Sequence, residues 1–224
     1  MTKVISDDYH DYVYNKGKLV GEFEDLYKNS KDIPWHQDKQ DDWLDIKLTK
    51  DLLKSYGPFD YICDFGCGLG YYLNLINAGV GGQGCQLTGY DISQTSCVRG
   101  KEIFTDIKFS AFDLSSQDKE LVREACEGKR LHLTRGVLLY FSDKNRLNIA
   151  IGHMASVIKK DELLLVSQDF LVLTGYFVGR DILSGPDAVV SAFSKNFIPL
   201  KTIWLEDIET GGSNNWFIGL LKRI

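Results

Sequence analysis

A chain of 224 residues with 44% apolar and 25% charged residues has the makeup of one domain with an N-terminal extension, large enough to bury a core without staples. Its formal charge of −5 sets the bulk field against nucleic acid as a partner. Residues 1–11 lack the apolar stretch of a secretory leader, no later run reaches membrane-spanning length, and the five cysteines contain no C-x-x-C pair, so a cytoplasmic protein with reduced thiols and no metal site is expected.

Aromatic and polar residues alternate over 9–21 around Asn15-Lys16-Gly17, the pattern of a hairpin. A short helix is expected over 22–28. Asp32-Ile33-Pro34-Trp35-His36-Gln37 follows, where the proline bars a helix from running in. Residues 1–40 therefore read as an N-terminal extension, and 41–224 as the domain proper. Residues 42–55 place Leu44, Leu48 and Leu52 on one helical face, and Gly57 with Pro58 supplies the stop.

From residue 61 the pattern alternates. Strands are expected at 61–65, 87–91, 107–111 and 131–135, with helices at 71–78, from Ser93, and at 118–126; Gly79 to Gly84 reads as a flexible connection. That alternation predicts a Rossmann-like α/β fold, a mostly parallel sheet with helices on both faces. Ser142 or Asp143 can cap a helix to Ile158 whose Leu147, Ile151, Met154 and Ile158 share a face, and a fifth strand follows at 163–167. Residues 168–185, with Asp169, Tyr176, Phe177 and Arg180, fit neither period. Strands at 198–205 and 216–221, joined by the polar, glycine-rich 206–215, complete seven strands with a C-terminal antiparallel hairpin.

Tyr61-Ile62-Cys63-Asp64-Phe65-Gly66-Cys67-Gly68-Leu69-Gly70 is the organising stretch: a short apolar run, an acid, then glycines at alternate positions opening a helix. Glycines let a ligand approach bare main chain, and the first amides of the helix have no partner inside it. Asp91 ends the next strand 21 residues past Gly70, about where a ribose-binding acid belongs, and Asp113 follows the third strand. Dinucleotide folds use G-x-G-x-x-G to cradle a diphosphate; here the spacing is G-x-G-x-G with an acid two residues ahead, which repels phosphate and suits a cofactor carrying an ammonium and a sulfonium.

Asp64 to Gly70, with Tyr90-Asp91-Ile92-Ser93, Phe112-Asp113-Leu114 and Arg135-Gly136-Val137-Leu138-Leu139-Tyr140, resembles the successive motifs of class I S-adenosylmethionine-dependent methyltransferases over roughly residues 40–224. Leu69 stands where a small hydroxyl residue is common in that family. The resemblance implies S-adenosylmethionine as cofactor. It places Gly66, Cys67 and Gly68 against the methionine part, Asp64 toward its ammonium, Asp91 and Ile92 at the ribose, and Asp113 and Leu114 at the adenine. The segments Gly17-Lys18-Leu19-Val20-Gly21-Glu22-Phe23-Glu24 and Pro34-Trp35-His36-Gln37 resemble the extension of bacterial enzymes that methylate glycans and their precursors, which implies a small polar acceptor such as a sugar derivative.

Arg135, at a strand end, can bind the methionine carboxylate or an acidic acceptor, or form a salt bridge. Trp35 can stack near the sulfonium or simply pack. An alcohol acceptor needs a base, for which His36 comes first, then Asp169 and Tyr140. Cys67 has no visible base beside it and reads as a packing residue. Rival readings are an N-methyltransferase of a small amino compound, a cofactor-binding module without catalysis and, more distantly, a nicotinamide enzyme.

Overall fold

The computed structural model describes residues 6, 8–15, 18–141, 143–171, 182–206 and 214–224. Helix α1 (His10–Val13) precedes a two-stranded ribbon, β1 (Tyr14–Asn15) and β2 (Lys18–Leu19), as the alternation predicts; its tip at 16–17 lies outside the described residues. Helix α2 (Phe23–Asn29) and a 3-10 turn over Pro34–Lys39 complete the extension. Then come α3 (Leu44–Lys54), β3 (Phe59–Phe65), α4 (Tyr71–Val80), β4 (Gly81–Asp91), α5 (Gln94–Ile103), β5 (Ile107–Ala111), β6 (Arg130–Arg135), a 3-10 turn at Leu138–Tyr140, α6 (Lys144–Val157), β7 (Leu163–Leu171), α7 (Pro186–Phe193), β8 (Phe197–Leu205) and β9 (Asn214–Arg223).

Seven strands form one sheet in the order β5-β4-β3-β6-β7-β9-β8, in which β9 runs opposite to the other six. Strand order reverses between β3 and its two partners, so a crevice opens at the carboxyl ends of β3, β4 and β6. Strand β3 alternates its side chains between two cores. Tyr61, Cys63 and Phe65 pack with Leu147, Ile151 and Met154 of α6 and Phe193 of α7. Ile62 packs with Leu73 and Ile76 of α4 and Ile46 and Leu53 of α3 on the other face. Full burial of each such side chain contributes roughly 1.5–3 kcal/mol, so the strand carrying the glycine turn is anchored from both sides.

Several expectations are corrected. Residues 118–126 form no helix: Arg123 is drawn to Glu162 and the Val157 carbonyl, and Arg130 Nη2 donates to the carbonyls of Glu124 and Cys126, so tertiary contacts override local propensity. Gly81 to Gly84 belong to β4: Phe59 pairs with Gly81 and Tyr61 with Gln86, and the surplus residues between form a bulge. The buried stripe of α3 is Asp45, Ile46, Thr49 and Leu53, whereas Leu44 is 61% exposed, because Arg135 draws Asp45 inward. Helix α7 went unanticipated although Pro186 at its first turn and Asp187 beside it are start signals. Asp143 caps α6 by accepting from the Arg146 amide at 2.9 Å; the alternative cap Ser142, Tyr176, Phe177, Arg180 and the join at 207–213 lie outside the described residues. Among the described residues no helix is long and apolar enough to cross a membrane, and no cluster of metal-ligating side chains occurs.

Candidate active site

The turn after β3 is stitched to the end of β4. The amides of Gly66 and Cys67 both donate to the Tyr90 carbonyl, at 2.7 and 2.9 Å. Asp91 Oδ2 accepts from the Gly68 amide and Oδ1 from the Ser93 amide, each at 2.9 Å. Gly66 and Gly68 have φ of +83° and +56°, where a side chain is strained. A Cβ on Gly66 would collide with Val137 Cγ2, and one on Gly68 would meet Gln37 Nε2 at 2.6 Å. Main chain at both positions still lines the cavity, whereas Gly70 packs against Phe109 away from it. The helix entrance is not bare, contrary to the expectation from sequence: Gln37 Oε1 accepts from the Leu69 amide at 3.0 Å and Gln37 Nε2 donates to Tyr27 Oη at 3.2 Å. Leu69 itself is fully buried with Tyr12, Val13, Leu26 and Tyr27 of the extension, which accounts for an apolar residue there.

A cavity of about 1080 Å³ spans the carboxyl ends of the strands, at the upper end of the roughly 300–1,000 Å³ usual for small-molecule sites. Every residue expected at the site lines it: Trp35, His36, Asp64, Gly66, Cys67, Gly68, Asp91, Ile92, Asp113, Leu114, Arg135, Tyr140 and Asp169. At the end formed by β4 and β5, Ile92 is half exposed, and Asp113 Oδ1 accepts from both the amide and the hydroxyl of Ser115 at 2.8 Å. Arg146 Nη2 reaches the same hydroxyl at 2.7 Å.

Asp64 sits at the middle. It is 2% exposed, and its Oδ1 has no hydrogen-bond partner among the described residues. Burial raises its pKa to about 8, with Arg135 pulling it down and Asp91 pushing it up. A buried carboxyl with an unanswered oxygen is costly unless a donor or a cation arrives.

The far end lies over β6, β7 and β9. Arg135 is not free for an anion: Nε donates to Asp45 Oδ2 at 2.9 Å, Nη1 to Gln40 Oε1 at 2.8 Å, and its side chain is 10% exposed. The guanidinium stacks among Trp216, Tyr72 and Trp43 at 4.6, 5.2 and 5.5 Å. What forms is the salt bridge weighed from sequence, but enclosed by rings instead of on the surface. Asp169, at the β7 end, accepts from Gln168 Nε2 at 2.8 Å on Oδ1, its only side-chain donor among the described residues. Burial pushes its carboxyl up, although part of the residue stays open to the cavity.

The extension forms the remaining wall. Trp35 and His36 hold φ of +54° and +49°, a conformation that costs side-chain-bearing residues about 1–2 kcal/mol each. Trp35 lies 5.6 Å from Tyr9 and 6.2 Å from Tyr140, and Phe23 lies 5.1 Å from Tyr140. Helix α2 is pinned to the start of α5: Glu24 accepts from the Ser93 hydroxyl at 2.7 Å and from the Thr95 amide and hydroxyl at 3.1 and 2.5 Å. Burial works to raise the Glu24 pKa, and these bonds outweigh it, holding it at about 2. Arg99 Nη1 adds a bond to the Tyr27 carbonyl at 2.6 Å.

Among the candidate bases, His36 is exposed at the cavity wall with its ring edge-on to Tyr9 at 6.4 Å. Burial lifts the Tyr140 phenol well above its ordinary value, with Asp169 adding to the effect, which weighs against the phenolate form that a base requires. Cys67 is buried, burial raises its thiol, and its sulfur occupies the space that Gly89 leaves open, as packing requires. His132 meets Glu162 and His153 meets the Leu114 carbonyl, both away from the cavity. Sequence reasoning passed over Gln37, Glu24, Gln40, Asp45 and His10. The last also lines the cavity and stacks on Tyr9 at 4.1 Å.

No family model and no curated protein matches the chain. Solved structures do. The N-methyltransferase NodS from Bradyrhizobium japonicum WM9, in complex with S-adenosyl-L-homocysteine, superposes with a TM-score of 0.63 at 16% identity over 86% of this chain and 92% of that one. The [4+2]-cyclase SpnF gives 0.57 at 14% identity, over 80% of each chain. Geranyl diphosphate C-methyltransferase from Streptomyces coelicolor A3(2) gives 0.55 at 12%, over 80% of this chain and 79% of that one. At these identities the likeness establishes architecture, and the architecture is the class I S-adenosylmethionine-dependent methyltransferase fold.

Proposed function

We propose that the chain is an enzyme that transfers a methyl group from S-adenosylmethionine to oxygen or nitrogen of a small polar acceptor. One observation carries this: Asp64, at the carboxyl end of the central strand, lines a cavity already walled by Asp91 and Asp113 and carries a carboxyl oxygen with no donor among the described residues. The cofactor's ammonium answers that oxygen, and the acid disfavours a phosphate. Asp91 takes the ribose hydroxyls. Its two oxygens each accept one backbone bond and keep a further lone-pair site. Ile92 covers the nucleoside, Asp113 accepts from the adenine amino group, and the Leu114 amide donates to the ring.

When bound, the cofactor supplies a methyl group on positively charged sulfur, already activated. The protein's share is alignment and exclusion of water, and alignment alone can contribute about 7–11 kcal/mol. Residues 1–40 act as the cover, with Gln37 fastening it to the turn and Glu24 to α5. For a hydroxyl acceptor, His36 or Asp169 takes the proton, an assistance of about 10²- to 10⁴-fold.

The finer assignment is a sugar derivative or glycan precursor. It is supported by the resemblance of residues 17–24 and 34–37 to glycan-modifying enzymes, and by a wall that combines rings (Trp35, Tyr140) with polar groups (His36, Asp169). The test is release of S-adenosylhomocysteine from S-adenosylmethionine with a panel of sugars and amino sugars. Acceptor-dependent product supports the proposal. Tight cofactor binding with no product across the panel favours a binding module instead.

A further inference from the structure

Cavity-lining carboxylates outnumber fixed cations: Asp45, Asp64, Asp91, Asp113, Asp169 and Glu206 face Arg135 and Arg146. Most are answered within the protein. Asp45 pairs with Arg135, Asp91 takes two backbone amides, Asp113 takes Ser115, and Glu206 accepts from Trp204 Nε1 at 3.0 Å. Two remain, Asp64 on β3 and Asp169 on β7. They stand on different strands with β6 between them, so one small cation does not serve both. If Asp64 takes the cofactor's ammonium, Asp169 is left at the far end with, among the described residues, the Gln168 side-chain amide on one oxygen and its own backbone amide as donors and no paired cation. That end is walled by aromatic faces. Trp35 packs among Tyr9, Phe23 and Tyr140, and Tyr140 lies near enough to Asp169 to feel its charge.

We infer that the acceptor carries a basic nitrogen, which docks against Asp169 beside the aromatic wall to which Tyr140 and Trp35 belong. A carboxylate beside ring faces favours a cation over a neutral hydroxyl twice, through charge pairing and through the ring quadrupoles, and both gain strength as water is excluded. Arg135 on the neighbouring strand favours the ionised form of Asp169, and its own hydrogen bonds go to Asp45 and Gln40, so the Asp169 carboxylate is left for a cation. The inference rests on the cofactor occupying the Asp64 end. It separates amino sugars and other amines from phosphorylated or neutral sugars.

The test uses the full chain saturated with S-adenosylhomocysteine, titrated by calorimetry with matched pairs, glucosamine against glucose and ethanolamine against ethylene glycol. The amine of at least one pair binds about 10- to 100-fold more tightly than its partner. Asp169→Asn brings that ratio close to one while leaving affinity for S-adenosylhomocysteine within about twofold, and Asp169→Glu restores part of it. A purely structural role for Asp169 would lower cofactor affinity and leave the ratio intact. Equal binding of amine and alcohol, preference for the alcohol, or no binding by any amine overturns the inference while leaving the methyltransferase proposal standing. Failure of S-adenosylhomocysteine itself to bind brings down both.

Discussion

At the β4 and β5 end of the cavity, Asp91 and Asp113 are held by groups on the neighbouring turn or two residues on, whereas at the far end Arg135 is held by Asp45 and Gln40, 90 and 95 residues away. The first arrangement is local, so a spacing rule captures it. The second depends on how an N-terminal extension and α3 come to rest on the sheet. Near the turn the two meet: Leu69 donates to Gln37, and Ser93 and Thr95 bind Glu24. The β4 and β5 end is therefore part of the sheet, and much of the wall at the far end is a layer laid upon it.

Changes at the sheet end should damage both folding and cofactor binding. Gly66→Ala puts a methyl into Val137 at a φ of +83°, so strain and overpacking together cost about 2–4 kcal/mol, read as a fall of roughly 5–15 °C in thermal midpoint and loss of cofactor binding. An unchanged midpoint would show that the turn yields, and that the glycine is not required by packing. Asp91→Ala leaves two buried amides without acceptors. Affinity for S-adenosylhomocysteine should drop about 10- to 100-fold by calorimetry, and unchanged affinity would remove Asp91 from the site.

Asp64 sharpens the comparison through pH. Its pKa is raised from 3.8 to about 8 in the free fold, so the fold favours the protonated form. That contribution is complete below about pH 4 and is withdrawn as pH rises through 8; burial acts in the same direction on Asp91 and Asp169. The free protein should therefore lose thermal stability from pH 5 to 8, with a smaller loss in Asp64→Asn. A cation binds the ionised form, so cofactor affinity should climb over the same interval, by at most about tenfold per pH unit, and the climb should vanish in the variant. Parallel profiles for the two proteins would rule out Asp64 as the ammonium partner.

The smallest effect belongs to the cover. Glu24→Gln keeps the fold but weakens the bonds to Ser93 and Thr95, and because the side chain is 40% exposed the change should be a few-fold at most in cofactor dissociation rate. Faster hydrogen exchange confined to α2 and the start of α5 would accompany it. Exchange unchanged there would mean that the cluster around Leu69 and the bonds of Gln37 and Arg99 hold the extension without Glu24.

The contrast also explains what was legible beforehand. Asp64, the glycines, Asp91 and Asp113 follow from chain spacing because each sits where a strand must end, and the α6 face follows from its period. The α3 face did not, since its inward side carries two polar residues, Thr49 and Asp45, the latter buried against a distant arginine. Nothing local marks Gln37 as the partner of Leu69. The failed helix at 118–126 has the same origin: Glu162 and Arg130, outside the segment, decide its path through Arg123 and the carbonyls of Glu124 and Cys126.

The most direct test is calorimetric titration of the full chain with S-adenosylhomocysteine at pH 8, beside NAD as control. Binding of one molecule per chain with a dissociation constant of about 1–100 μM, and none for NAD, is the predicted result. Binding of NAD, or no binding of S-adenosylhomocysteine at millimolar concentration, would contradict the assignment of the Asp64 cavity to a phosphate-free nucleoside.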